Sequence, residues 1–206
     1  MNKSREAKNL LELKFAHLAP EAWEELWRIG RTGWKNRGVP KEERESVQEH
    51  TKALREMLIS MREELTEFSE KDIGDILDML ELHDYPESIT GDEAIVTYDE
   101  VEKERLKAEK KKREIKAMGK ICREMGETGE IAWEIWMRFE EKADPAAVFA
   151  NELDKYQAIE RAWEYELDGK TVSAMDFIKY ADSDITHPVL RQRMEILSTK
   201  IASRNV

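Results

Sequence analysis

The chain has 206 residues, 38% of them charged and 40% hydrophobic, with six tryptophans and a formal net charge of −11. That length suits one helical domain with its own core, and so much apolar and aromatic material beside the charge excludes a disordered polymer. The acidic balance argues against nucleic-acid polymers and anionic membrane surfaces as partners, though one small anion can still be read through a bound cation.

Glycines and prolines are few, at nine and five, and β-branched runs are short, so strands have little support. The expected fold class is all-α, a single-domain helical bundle over residues 1–206. The one cysteine, Cys122, leaves no intramolecular disulfide and points to a reducing compartment. The opening stretch MNKSREAKNLLELKFAHL has no signal-type apolar region, and no run approaches the roughly 20 apolar residues that span a bilayer. The location expected is cytoplasmic.

In chain order, a first helix is expected through residues 9–17, and APEAW begins a second with Pro20 near its start. Residues 31–46, RTGWKNRGVPKEERES, read as a long irregular piece carrying Gly33, Gly38, Pro40, Trp34 and the bases Arg31, Lys35, Arg37 and Lys41. A capping box, Ser46-Val47-Gln48-Glu49, opens the third helix and puts His50 in its first turn. A fourth is expected from near Asp72, with Ile73, Ile76, Leu77 and Leu80 on one stripe. Continued, that stripe reaches His83 and Asp84, and Pro86 then disfavours more helix.

Residues 99–118 form a charge-dense helix whose basic run, 110–113, reads as a solvated face with i, i+4 Glu–Lys pairs rather than an anion site. Another helix covers 129–140, where EIAWEIWMRF suits either a core helix or a dimer face. Asp144-Pro145 is a good cap and first position for the next, through Trp163. On it Ala147, Ala150, Asp154 and Ala158 share a face, three small residues flanking one carboxylate. A last helix follows Pro188.

His50, the pair His83-Asp84, and Asp154 ask for a common explanation. Buried carboxylates are costly unless paired or bound to a cation. Two imidazoles and two carboxylates could converge on one divalent ion, and a mixed N/O set suits manganese, cobalt, iron, nickel or zinc better than calcium. Four protein ligands leave room for water and a phosphoryl oxygen, as metal-assisted hydrolysis requires. The competing account of a His-Asp pair at a helix end is a cap with a partly exposed imidazole.

His50 within ESVQEH, His83-Asp84 within HDYPESITGD and Asp154 within ELDK resemble the HD-domain phosphohydrolase superfamily, whose signature is His … His-Asp … Asp. With RTGWKNRGV and ELDKYQAI added, residues 31–161 resemble the 5′-deoxynucleotidase group of small HD-domain proteins more closely. The resemblance implies an HD-domain helical bundle. It also implies one divalent metal (manganese, cobalt, iron, nickel, zinc or magnesium) on His50, His83, Asp84 and Asp154. The activity it implies is removal of phosphate from deoxyribonucleoside 5′-monophosphates, by a homodimer.

By the same resemblance Glu87 and Asp92 are the catalytic carboxylates, Glu87 beside the attacking water and Asp92 on the substrate sugar. Arg31 orients the phosphate. Trp34 corresponds to a sugar-selecting ring, although RTGW separates it from the arginine that it adjoins in bacterial members, and a place in the core suits it equally. Arg37 and Lys155 read as surface residues, and the contexts of His17 and His187 do not suit a second metal. Two alternatives stand beside this reading. One is hydrolysis of a signalling nucleotide or triphosphate, weakened because Ser88 follows Glu87 where alarmone hydrolases carry an acidic pair. The other is an interaction protein with a structural metal, which would need neither Glu87 nor Asp92.

Overall fold

Pro20 opens α1 (Pro20–Arg28), where its missing N–H leaves no helical bond unmade. The computed structural model describes residues 12–97 and 99–204. Before α1, residues 12–19 are turn and bend, so the described part of the helix expected over 9–17 does not form; residues 9–11 lie outside the described residues. The reason is tertiary. Glu81, fully buried, accepts the backbone N–H groups of Lys14, Phe15 and Ala16 at 2.8, 2.6 and 2.9 Å. Three successive amides turned onto one carboxylate outweigh a helical periodicity this short.

Residues 31–46 are more ordered than the sequence suggests. They hold α2 (Thr32–Asn36) and a 3₁₀ turn over Lys41–Glu43, with Gly38 at φ 78° reversing the chain between them. The expected capping box starts α3 (Val47–Met61): Ser46 accepts the Glu49 amide while the Glu49 carboxylate accepts that of Ser46. α4 (Glu70–Leu82) begins earlier than its apolar stripe, because Ser69 and Asp72 form a second capping box. Pro86 closes that helix but is itself helical, and it starts the single turn α5 (Glu87–Thr90), which Gly91 ends at φ 76°.

α6 (Glu100–Glu124), capped by Asp99, runs past the expected residue 118. It turns tightly into α7 (Thr128–Glu140), where a Cβ on Gly129 would overlap the Cys122 carbonyl oxygen. Asp144 caps α8 (Pro145–Leu167) by accepting the Ala146 and Ala147 amides, and the helix continues beyond Trp163. α9 (Ala174–Ala181), not foreseen in the sequence, starts from a Ser173 cap; α10 (Pro188–Arg204) follows as expected. The described residues form no strand beyond one isolated bridge, Gly30 to Ser46, and no helix among them is long and apolar enough to cross a membrane.

α8 is the axis of the bundle and packs on α3, α4, α7, α9 and α10. Its buried Ala146, Ala147, Ala150 and Leu153 let neighbouring backbones come close, and Leu54, Leu58, Ile76, Leu80 and Phe149 fill the space between them. A second cluster (Leu26, Tyr85, Met118, Ile121, Trp136) joins α1 to α6 and α7. Within EIAWEIWMRF, Ala132, Trp136 and Phe139 face the core while Ile131 remains 55% exposed. The buried Trp136 indole donates to the His83 carbonyl at 3.2 Å, which fastens the end of α4 where the candidate ligands sit.

Candidate metal centre

Three helices that pack pairwise, α3, α4 and α8, deliver the four candidate ligands. α3 presents His50 in its first turn, the C-terminal end of α4 presents His83 and then Asp84, and α8 presents Asp154. His50 Nε2 lies 2.9 Å from Asp154 Oδ1 and 4.0 Å from Asp84 Oδ2, and His83 Nε2 is 3.1 Å from that same Asp84 oxygen. Ligand atoms of His50, His83 and Asp154 all fall within 4.8 Å of one another.

Hydrogen bonds decide which nitrogen of each imidazole is free. His83 Nδ1 is 2.9 Å from the Leu80 carbonyl, which can only accept, so the proton sits on Nδ1. His50 Nδ1 is 2.7 Å from Gln157 Oε1, while the Gln157 amide donates to Glu45 at 2.7 Å; the oxygen must accept, and again Nδ1 carries the proton. In the neutral rings both lone pairs are therefore on Nε2. Both Nε2 atoms are buried and make no hydrogen bond among the described residues. Two preset imidazoles aimed at two carboxylates fit a divalent ion of the borderline class.

The electrostatics make the same demand. Burial lowers the His83 pKa, but the charge of Asp84, 3.1 Å away, with Asp154 behind, outweighs it and raises the ring to about 9. Burial works against Asp154 as well, yet His50 and Arg31 hold its carboxyl down at about 2. Asp84 is held far below the usual carboxylate range, His83 and Arg31 outweighing its burial. Negative charge concentrated this way asks for a cation.

Arg31, at the start of α2, donates its backbone N–H to the Glu45 carbonyl at 2.9 Å and reaches Asp84 at 4.0 Å. Its Nη1 is buried and makes no hydrogen bond among the described residues. Asp92 sits beside it: its carboxylate accepts the Thr32 amide in a short bond, and its carbonyl accepts the Thr32 hydroxyl at 2.7 Å. Glu87, 5% exposed at the head of α5, is pushed well above the ordinary glutamate range by burial and by Asp84 and Asp92, with Lys110 and Arg31 opposing.

Trp34 stands apart from this group. The turn of α2 sends its ring into the core, 3% exposed, against Tyr165 and Phe177 at 5.1 and 5.2 Å. Its N–H donates to Glu45 at 3.2 Å, so it meets the site only through the chain Trp34–Glu45–Gln157–His50. Arg37 lies over Phe177, Lys155 pairs with Asp184, and His187 pairs with Glu67 on another face.

Three residues of the site were not found from the sequence: Glu45, Gln157 and Lys110. Lys110 is not on a solvated face. Its ammonium is 3.6 Å from Glu87 Oε1, and its side chain is 24% exposed. A signal existed, since Lys110, Glu114, Ala117, Met118 and Ile121 recur at helical spacing and the last three are buried. Gln157 likewise follows Asp154 by one turn of α8.

An all-α bundle in which a histidine, a His-Asp pair and an aspartate converge from three helices has the arrangement of an HD domain, and a model of the HD domain matches residues 23–191. The chain belongs to the HD-domain family. Among its relatives, the 5′-deoxynucleotidase HDDC2 of Mus musculus is 32% identical over 178 residues, covering 85% of this chain and 83% of that protein. The 5′-deoxynucleotidase HDDC2 of Bos taurus is 32% identical over 203 residues, covering 98% and 88%. In fold, the chain is similar to a predicted metal-dependent phosphohydrolase from Magnetospirillum magnetotacticum, at a TM-score of 0.65 and 21% identity over 94% of this chain and 98% of that one. The resemblance read from the motifs and the all-α class are both borne out.

Proposed function

We propose that this chain is a metal-dependent phosphohydrolase that removes phosphate from deoxyribonucleoside 5′-monophosphates, with one divalent ion on His50, His83, Asp84 and Asp154. The observation that carries the reading is the pair of buried, bare Nε2 atoms facing two carboxylates, with Arg31 and Glu87 alongside. The names of the relatives support the substrate class. When bound, the metal supplies a Lewis acid for the phosphoryl oxygen and lowers the pKa of water.

The remaining work falls to side chains. Arg31, held by its backbone bond to Glu45, turns its free Nη1 toward the phosphate, and a guanidinium suits such an anion. Glu87 takes a proton from the attacking water as the new O–P bond forms, a task helped by a pKa above the ordinary glutamate value. The bond from phosphorus to the 5′ oxygen breaks, and the leaving oxygen takes up a proton from solvent, to which Glu87 returns the one it removed. Asp92, fixed on Thr32, accepts a sugar hydroxyl. Trp34 contributes through Glu45 and not by ring contact.

Two cations, Arg31 and Lys110, stand among Asp84, Glu87, Asp92 and Asp154, which favours one phosphate over three. Phosphate release from dAMP, AMP, dATP and a signalling nucleotide, with and without added manganese or cobalt, tests this. We expect metal-dependent turnover of the monophosphates, dAMP leading, and a kcat/KM for dATP at least about tenfold lower. Equal or faster turnover of the triphosphate or signalling nucleotide would overturn the substrate, and no turnover of any of the four would overturn the activity. A cytoplasmic homodimer belongs to the same reading, supported by the free thiol Cys122 and by the exposed Ile131 on α7. Sedimentation velocity checks the dimer.

A further inference from the structure

On α6 the run 110–113 divides by direction. Lys112 points to solvent, Arg113 pairs with the Glu93 carboxylate, Lys111 pairs with Glu140 over the Trp136 ring, and Lys110 turns inward. An ammonium has three protons to donate. Around Lys110 Nζ stand three acceptors, Glu87 Oε1 at 3.6 Å, Glu114 Oε1 at 3.4 Å and the Glu93 carbonyl at 3.2 Å. They belong to α5, to α6 itself, and to the segment after Gly91 that carries Asp92. The other oxygen of Glu87, Oε2, is buried and makes no hydrogen bond among the described residues.

We propose that Lys110 is the positioning residue for Glu87. Its ammonium holds Oε1, so that Oε2 is the oxygen left to meet the attacking water, and Glu114 holds the lysine in turn. A carboxylate 5% exposed between Asp84 and Asp92 needs a fixed counter-charge to keep one orientation, and Lys110 supplies it from outside the metal ligands. The tie to the Glu93 carbonyl places the Asp92 segment against the same peg. This inference rests on the phosphohydrolase reading, with Glu87 acting on water.

A double-mutant cycle tests it. Lys110→Met should lower kcat for dAMP by about tenfold or more with KM within about threefold, and Lys110→Arg should recover most of the loss. In a Glu87→Gln background the same Lys110→Met change should cost almost nothing, because the residue acts only through the carboxylate. Metal content by elemental analysis should stay at the wild-type value in all four proteins. The double variant removes both charges together, so it keeps the test open if the single one unfolds; it should then turn over as Glu87→Gln does. An equal loss in both backgrounds, a rise in KM with kcat intact, or unchanged kinetics in Lys110→Met would overturn the proposal. Wild-type protein inert on the nucleotide panel would instead overturn the reading beneath it.

Discussion

Gln157 settles the chemistry of His50 without touching the candidate metal position. Its amide is committed to Glu45, whose other oxygen is held by Trp34, so only its carbonyl is left for the imidazole. Replace Gln157 with leucine and His50 Nδ1 loses its acceptor in a fully buried place, which frees the proton to shift onto the nitrogen that should bind. Calorimetric titration with manganese or cobalt should then show affinity lower by on the order of 10- to 100-fold, with the helical signal kept. Unchanged affinity would mean that the tautomer is not set here. The set His50, His83, Asp84 and Asp154 was legible because the order His … His-Asp … Asp, within ESVQEH, HDYPESITGD and ELDK, singles it out. Gln157, Glu45 and Lys110 were not, because an amide or a charge looks the same on paper whether it meets solvent or a ligand. Trp34 shows the converse: the motif pointed to a ring for the sugar, and the short helix α2 turned that ring into the core.

Among the elements, Arg138 on α7 ties three helices at their ends. It donates to Asp75 on α4 at 2.6 Å and, through two nitrogens, to Asp144, the cap of α8. The Arg138 hydrogen bond holds the Asp144 carboxyl below its ordinary value; Asp75 is lowered as well, its bonds to Lys71 and Arg138 outweighing partial burial. A carboxylate whose folded pKa is depressed stabilises the fold above its unfolded value, near 3.9 for Asp, and that stability is lost as pH falls through the folded pKa. Arg138→Met should therefore cost roughly 1 kcal/mol at pH 7, a modest figure because all three groups are partly solvated. The gap in Tm from wild type should narrow as pH falls below the unfolded value of about 3.9 and close once both carboxylates are protonated in the folded protein. A gap that persists in acid would assign the loss to packing. Caps at Ser46 and Asp144 could be read directly because one side chain decides each of them. α9, eight residues long, lacks the length that makes a periodicity visible, and the turn at 12–19 depends on Glu81, far away in sequence.

For the molecule as a whole, what matters is that its ligands are far apart along the chain and adjacent in space. The apolar stripes of α3, α4 and α8 announced an all-α core, and the small residues beside Asp154 marked the face of α8 that neighbours approach. But which helix ends would meet there is set by contacts between segments far apart in sequence. His50, the pair at 83–84 and Asp154 become neighbours only once those three helices have docked, so the centre exists only late in folding. Saturating manganese or cobalt should then deepen the native well without lowering the folding barrier: at 100 times Kd it adds about 2.7 kcal/mol. In stopped-flow denaturant jumps, the refolding limb with metal should overlay that of the chelator-treated protein, while unfolding slows by on the order of 100-fold. A refolding limb that quickens with metal would place the three helices together already at the transition state. An ion that leaves folding speed alone yet lengthens the life of the folded chain acts as a timer: how long this bundle survives between openings is set by how much metal surrounds it.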